Sequence, residues 1–587
     1  MNRETELVEL CINAACKSRE TVEKWRLQKR SLDRLPSHLA DALLRRLITR
    51  RLLHPSLLEV FKHSAEEVDV KGDNSVDAEW MAYLGGFRHL RYLNIAECYR
   101  INSSALWPIT GMNSLKELDL SRCSKVNDAG INHILSVPNL EKLHISKTSV
   151  TAKGVKLLAS LKNLSLLDLG GLPVDDESLA SLQVLKNLQH IELWGSKISN
   201  KGAVVLNTFP KLTHLNLEWT SVTKLPNLSS LECLNMSNCT IDSIHEDDKA
   251  PLTKLIFSGS TFLNEAGTLL YANTSNLSFL DVAHTGLDKF FFLSKLKVIE
   301  HLNLRSCMMD DNSVEMVACI GGKLKSLNLS GTWVSSAGIG ILAGHVPNLE
   351  ILSLSQTSVE DTALPFISLM PSLKVVDLSN TNIKGFLHQG GTDLDSLSLT
   401  ALQNLKQLER LNLEHTRVTD EALFPLSSFQ ELRYLSLKSP SLSDISLYHL
   451  SSVPKLTKLS ICDAVLTNCS LDKVKAPESL KLIDLSGCWL LTKDAILSFS
   501  RNHPQIEVRH ELVAVLPFEE NGRQHSSRLT SRTMQTARKK EQTSLSPYFL
   551  DQRVKYSRDE LLALQFMSLP LASNSERDNS ILEKQLD

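Results

Sequence analysis

The chain has 587 residues, a length that alone would suggest roughly four domains at about 150 residues each. Hydrophobic residues make up 42% and charged residues 22%, which excludes a wholly disordered chain. The 64 basic and 66 acidic residues leave a net charge of -2, so no global field holds a polyanion and direct nucleic-acid binding is not expected. One residue type is out of proportion. There are 106 leucines against 5% aromatics, so a repeated role for leucine is the economical explanation of the core.

Residues 1–75 read as helices. Leu7, Leu10, Cys11, Ala14 and Ala15 recur at helical spacing, and a second helix starts near Leu35-Pro36 with Leu39, Leu43, Leu44 and Leu47 on one face. This head is expected to cap the leucine-dense region on its C-terminal side and to shield that region's first leucines from water.

From residue 76 to residue 512 the pattern L-x-x-L-x-L-x-x-(C/T/S)-x-(V/I/L) repeats, with clear copies starting at Leu90, Leu115 and Leu140 and the last full copy at Leu480. About 17 copies are present, plus a degenerate one at Ile506 and Val508. In L-x-L the alternate residues of a short strand point inward, and the following stretch, as in Val418-Thr419-Asp420-Glu421-Ala422-Leu423, starts a return helix that Thr419 or Asp420 can cap. No single unit closes a core, but stacked units bury a continuous ladder. The pattern resembles the leucine-rich repeat, and that resemblance implies an α/β solenoid of about 17–18 repeats with parallel strands, one domain where length suggested several. Cys98, Cys123, Cys239, Cys307 and Cys488 share a repeat position with Thr148, Thr220, Thr332, Thr357, Thr381 and Thr416. Their expected role is structural, as no C-x-x-C pair accompanies them.

Two irregularities interrupt the array. The steps from Leu212 to Leu231 and from Leu231 to Leu252 are short, which predicts extended return segments instead of helices. The step from Leu373 to Leu408 is long and carries Gly385-Phe386-Leu387-His388-Gln389-Gly390-Gly391, either a working loop or a tolerated one. Strand residues that do not point inward line the concave face. They include Ser121, Ser146, Ser258, Ser330, Ser355, Ser379 and Ser486, with Asp119, Asp168, Asn216, Asp281, Asn303, Asp377, Asn412 and Asp484, a polar surface suited to a protein partner. The fifth and sixth repeats add His190, Trp194, His214, Glu218 and Trp219, whose exposed Trp beside Glu and His has hot-spot composition. Two His without a third ligand fit no zinc site.

Residues 513–587 lose the periodicity and read as a disordered tail by composition. Arg523, Arg528, Arg532, Arg538, Lys539 and Lys540 form a basic run, a solvated linker or a nuclear address. Within the tail, Ser557 followed by Glu560 is a capping box that makes Tyr556 and Leu561 the two positions of a hydrophobic staple. A short helix over 555–567 is thus prepared locally, with Tyr556, Leu561 and Leu562 on one face.

That string resembles the Tyr-x4-Leu-Φ motif of ligands of cap-binding initiation factor 4E. The resemblance implies that the Tyr556 hydroxyl bonds to the factor's backbone and that Leu561 and Leu562 enter a hydrophobic patch, with Arg558 suiting an acidic rim. Solenoid, helical head and tail motif together resemble the plant CERES-like leucine-rich repeat proteins. This implies a translation scaffold that binds factor 4E and its plant isoform, with helicase 4A, initiation factor 3 and poly(A)-binding protein as further partners. The head offers an alternative. Leu7-x-x-x-Cys11 and Leu35-Pro36-x-x-Leu39 resemble the elongin and cullin boxes of ubiquitin-ligase substrate receptors such as the zyg-11 family, while Leu-Pro-x-x-Leu also occurs in F-boxes. Elongin and a cullin, or a Skp1-type adaptor, would then be partners, although Glu6 stands where the elongin box prefers Ser or Thr.

An enzyme is not expected, and neither is a cofactor. No zinc set or nucleophile elbow is present, and Gly321-Gly322-Lys323 lacks the rest of a phosphate loop. Apolar runs such as Leu512 to Phe518 are too short for a membrane span and Met1 to Leu10 is not signal-like. The expected location is cytoplasmic, and also nuclear if the basic run is an address.

Overall fold

A computed structural model describes residues 3–25, 34–226, 228–244, 251–263, 274–387 and 396–513. The tail motif over 555–567, including Tyr556, Arg558, Leu561 and Leu562, lies outside the described residues, as do the basic run and residues 388–391 of the insertion. The chain divides into two compact units, Met1–Val359 with Phe366–Val375, and Glu360–Pro365 with Val376–Asp587.

The first unit opens with α1 (Arg3–Ala15), α2 (Arg19–Glu23) and α3 (Ser37–Thr49). Ser18 Oγ accepts the Thr21 amide and so starts α2. Pro36 precedes α3 and offers no side-chain cap, and Leu43, Leu44 and Leu47 are buried. Arg50 ties α1 to α3 by donating to the Asn13 and Cys16 carbonyls at 3.3 and 2.8 Å. The α1 residues at helical spacing are turned outward instead, while the α3 stripe is buried. Leu7 and Leu10 are 64% and 62% exposed, and Cys11 is exposed as well. The cause is that α1 is held by its C-terminal turn, so its N-terminal apolar face stands clear.

A parallel ladder comes next: β1 (Glu67–Asp69), β2 (Tyr92–Asn94), β3 (Glu117–Asp119), β4 (Lys142–His144), β5 (Leu166–Asp168), β6 (His190–Glu192) and β7 (His214–Asn216). Its first strand lies nine residues ahead of position 76, counting 76 minus 67. Val68 and Val70 take the inward positions there, which is why a leucine pattern starts later. Register advances one repeat per strand, with Val68 opposite Leu93, Leu93 opposite Leu118 and Leu118 opposite Leu143. All four are buried, and burying each such side chain is worth about 1.5–3 kcal/mol.

At the two short steps, β8 (Lys224–Leu225), β9 (Cys233–Asn235), β10 (Thr240–Ile241), β11 (Ser243–Ile244), β12 (Lys254–Ile256) and β13 (Thr261–Phe262) succeed one another. β9 and β12 extend the ladder, while β8 pairs with β11 and β10 with β13 as extended return pieces. A helical return does not fit a step this short. The ladder then continues through β14 (Phe279–Asp281), β15 (His301–Asn303), β16 (Ser326–Asn328) and β17 (Ile351–Ser353). β18 (Val375–Asp377) falls at the division of the chain.

Short helices such as Asp128–Ile134, Ala152–Leu157 and Ser336–Leu342 form the longer returns, capped by Asn127, Thr151 and Ser335. The Asp at the first helical position looks forward rather than inward. Asp128 accepts the Thr151 N–H at 2.8 Å and its hydroxyl at 2.6 Å, and Asp176 treats Ser199 in the same way. These helix starts are thereby bonded to those of the following repeats.

In the second unit, β19 (Phe386–Leu387) and β20 (Ser396–Leu397) pair antiparallel at the root of the insertion. Buried Asp361 clamps that root by accepting the Lys384 and Gly385 amides at 2.9 and 2.8 Å and the Ser398 hydroxyl at 2.6 Å. Gly385 has φ +94°, and a Cβ there would stand 2.1 Å from the Ala422 methyl, so no other residue fits without rearrangement. Then β21 (Arg410–Glu414), β22 (Tyr434–Lys438), β23 (Lys458–Cys462), β24 (Leu482–Asp484) and β25 (Glu507–Arg509) form a second run of parallel pairs. Asp420 does not cap its own segment, Glu421–Ser428. Its carboxylate is engaged by the Ser443 amide and hydroxyl and by the Ser446 hydroxyl, so the expected local cap is a bond between repeats.

Candidate interaction surface

Each strand is followed by a corner that explains most of the polar residues on the sheet face. Non-glycine residues with positive φ recur there, among them Glu97, Arg122, Lys147, Trp219, Asn238 and His284, and glycine holds the same corner at Gly171, Gly195 and Gly259. The left-handed conformation costs an L-residue roughly 1–2 kcal/mol. The Asn or Asp that ends the strand compensates by accepting the amide two residues on: Asp119 from Ser121 at 2.8 Å, Asp168 from Gly170 at 3.0 Å and Asn216 from Glu218 at 2.9 Å. Asp281, Asn303, Asp377, Asn412 and Asp484 do the same. Ser146, Ser330 and Ser379 are themselves buried. These residues were expected to face a partner; much of their hydrogen-bonding capacity is spent on the corner. The signal that could have located the corner was available, since glycine alternates with Asn, Gln and His at one repeat position.

The five residues of the His/Trp patch do come together on β6, β7 and their corners, but in two different states. His190 and His214 lie in register and stack with ring centroids 5.2 Å apart and planes 3° from parallel. His190 Nε2 lies 2.6 Å from Glu192 Oε1. Trp194 is half-buried. Its indole lies where a Cβ on Gly170 would be, 1.9 Å from Nε1, with the Lys147 ammonium 4.9 Å from the ring. Expected as an exposed anchor, it is instead packed over a glycine pair that makes room for it. Trp219 is 63% exposed and sits at a corner with φ 58°, where Glu218 reaches Asn235 and Asn238 at 3.5 and 3.4 Å. Trp219 is therefore the free aromatic of the patch.

Two histidines of the face are shifted in opposite directions. His144, missed in the sequence reading, lies 3.8 Å from Asp168 and 3.9 Å from Glu117. Burial opposes its charged form, but Asp168, Asp119 and Glu117 outweigh that and raise its pKa. At His214 burial, and then the neighbouring His190, lower the pKa.

The head residues are split by the fold. Leu7 and Cys11 are exposed on α1, Pro36 is exposed, and Leu35 and Leu39 are half-buried. The repeat-position cysteines are free thiols that donate to carbonyls of the preceding repeat, Cys98 to Val70 at 3.3 Å and Cys123 to Ile95 at 3.1 Å. Burial pushes Cys98 and Cys488 up to about 12, which suits a structural role and not a nucleophile. A cavity of about 580 Å³ lies beside Trp489, Leu490, Leu491, His510 and Leu512, with a largely apolar lining. Among the described residues no group of three His, Cys, Asp or Glu is placed to hold a metal ion, and no helix is long and apolar enough to cross a membrane.

One parallel strand per repeat, a leucine row beneath it and a short return make this an α/β leucine-rich-repeat solenoid, a fold suited to protein interaction. A family model described as Leucine Rich repeat matches residues 111–132. Similar solved structures include an internalin of Listeria monocytogenes, 14% identical over 68% of this chain and 94% of that one with a TM-score of 0.36. A leucine-rich repeat protein of Leptospira interrogans is 16% identical over 71% and 95%, with a TM-score of 0.37. The mouse RP105/MD-1 complex is 16% identical over 78% and 81%, with a TM-score of 0.49. No curated protein matches the chain in sequence.

Proposed function

We propose that this chain is a non-enzymatic scaffold that binds cap-binding initiation factor 4E, and its plant isoform, through Tyr556, Leu561 and Leu562, and thereby modulates translation initiation in the cytoplasm. The observation that carries the reading is the coincidence of two independent patterns in one string. Ser557 and Glu560 form a capping box, and the residues it places at the staple positions are the Tyr and Leu of the motif. Helix and ligand face are thus specified together, which lowers the ordering cost of binding. Arg558 adds a positive charge beside that face. Helicase 4A, initiation factor 3 and poly(A)-binding protein are candidate partners of the sheet face, with Trp219 as the exposed anchor. Retention on cap resin with factor 4E tests the reading: replacing Tyr556 and Leu561 by Ala abolishes it, and unchanged retention overturns it.

A second reading is favoured by one specific observation. The apolar face of α1 is exposed where a mere cap would bury it, with Leu7 64% exposed and Cys11 beside it. As a ubiquitin-ligase receptor, the chain would co-purify with elongin and a cullin, or with a Skp1-type adaptor, and lose them on Leu7→Asp. Indifference to that substitution in a folded protein removes this reading.

A further inference from the structure

The second unit ends in β25, which is paired on one side only. Glu507 N–H donates to the Lys481 carbonyl at 2.8 Å, and the Arg509 carbonyl accepts from Leu485 at 2.9 Å, so both residues direct their backbone groups to β24. Alternation along a strand then turns the N–H and C=O of Val508 to the other edge. Among the described residues β25 pairs with β24 alone, so that edge is open. It is also short. Ile506 N–H donates to the His503 carbonyl at 3.0 Å before it, and the His510 carbonyl accepts the Val513 N–H at 3.1 Å after it, which leaves the three residues Glu507 to Arg509 for a further strand. Glu507 and Arg509 are exposed with Val508 buried between them, and Arg509 Nε lies 2.8 Å from Glu507 Oε1. The order acid, apolar, base becomes its own complement when it is turned end for end.

We propose that this edge docks a second copy of the chain, β25 against β25, antiparallel about a two-fold axis at Val508. Val508 then faces its own counterpart, and the two exchange both backbone hydrogen bonds. Each Glu507 falls opposite the other copy's Arg509 in a non-hydrogen-bonded pair, the closer of the two antiparallel pair types. Opposite charges in that position attract across the strands, and they do so twice, once on each side of the axis. Self-complementarity is what an isologous contact requires, and the charge order of this edge supplies it. Trp489 and Leu512, 51% and 48% exposed, line one cavity beside the turn that follows the strand and offer apolar surface at the same end. An open edge is a template for association with other chains, but a two-fold pair uses both edges, so this association stops at two. With three strand residues a side the contact is small, and the dimer is weak and dependent on concentration. The proposal is independent of any role for Tyr556.

Sedimentation equilibrium of the full chain tests it. The unmodified chain passes from monomer to dimer as its concentration rises. Glu507→Arg and Arg509→Glu each set like charges opposite one another in both pairs and weaken the dimer roughly tenfold. An equimolar mixture of the two variants restores the association, since a chain with two cations at the edge then meets a chain with two anions. Loss of fold would not be reversed by mixing. A monomer at every concentration, single variants that dimerise as tightly as the unmodified chain, or a mixture no tighter than either variant alone overturns the proposal. Hydrogen exchange supplies the second readout. Protection of the Val508 amide rises with concentration in the unmodified chain and does not in Glu507→Arg. Protection that is independent of concentration assigns the edge to another segment of the same chain and overturns the proposal too.

Discussion

The first strand of the first unit and the last strand of the second both end a ladder, and they are finished by different means. At β1 a helix side chain closes the edge. Asp41 on α3, 6% exposed, accepts the Glu66 and Glu67 amides at 3.0 and 3.1 Å through one oxygen. Glu67 alternates away from β2, so its donor would otherwise meet no partner in the fold. At β25 no helix stands over the edge among the described residues, and the chain itself turns back through His510 and Val513. A buried carboxylate satisfies an edge with few residues but makes it depend on one ionisable group. The turn at the other end shares its load among one backbone bond, the His510 ring and the Glu511 carboxylate.

The largest expected effect is therefore at Asp41. Asp41→Ala strands two amides and lowers stability by about 2 kcal/mol, measured by denaturant unfolding. Asp41→Asn keeps an acceptor and costs less. Desolvation, the leading cause, raises the Asp41 pKa against the lowering effect of the Glu67 and Glu66 amides. A carboxyl with a raised folded pKa contributes stability that is present below its ordinary value and is lost as pH rises through the folded one. The wild-type chain therefore loses stability relative to Asp41→Asn over that window. A flat difference between the two would mean that Asp41 is not the titrating closure of this end.

The two ends also differ in how much of them the sequence discloses. The leucine ladder is legible because L-x-L with period near 24 leaves inward positions no other use, and the extended returns at Leu212 and Leu231 follow from length alone. β1 is not legible by that rule, since Val68 and Val70 replace the leucines. Asp41 is not either, because its partners are backbone groups 25 and 26 residues away, and nothing local in an Asp on a helix announces them. On the sheet face, composition identified Asp119 and Asp168 but not their use, since an acceptor bonded to its own chain and one offered to a partner are the same residue. Trp194 and Trp219 show the same limit. They stand one corner position apart in the repeat, and the space left at Gly170 lets the first lie flat, while the second sits at the positive-φ position and projects.

A smaller effect is expected at the other end. His510 is 8% exposed, accepts the Leu512 amide and places Nε2 3.3 Å from the Cys488 carbonyl. His510→Ala removes the side chain that holds the turn and costs about 1 kcal/mol, half the loss at Asp41. Equal losses would mean that the turn carries as much of its end as the buried carboxylate does of the other.

The smallest effect leaves stability untouched and contrasts the thiols near the two ends. Cys11 is exposed on α1, whereas Cys488 is buried beneath the His510 turn and held up to about 12 by desolvation, donating to the Ile461 carbonyl at 3.2 Å. The thiolate is the form that alkylates, so burial leaves Cys488 with little of it at neutral pH and with no access. Iodoacetamide with peptide mapping is expected to label Cys11 within minutes and Cys488 at least about a hundredfold more slowly. The rate at Cys488 then reports opening of the C-terminal end and should rise in His510→Ala, while Cys11 labels at the same rate in both chains. If Cys488 labels as fast as Cys11 in the unmodified chain, the turn does not cover that thiol, and the contrast between the two ends fails.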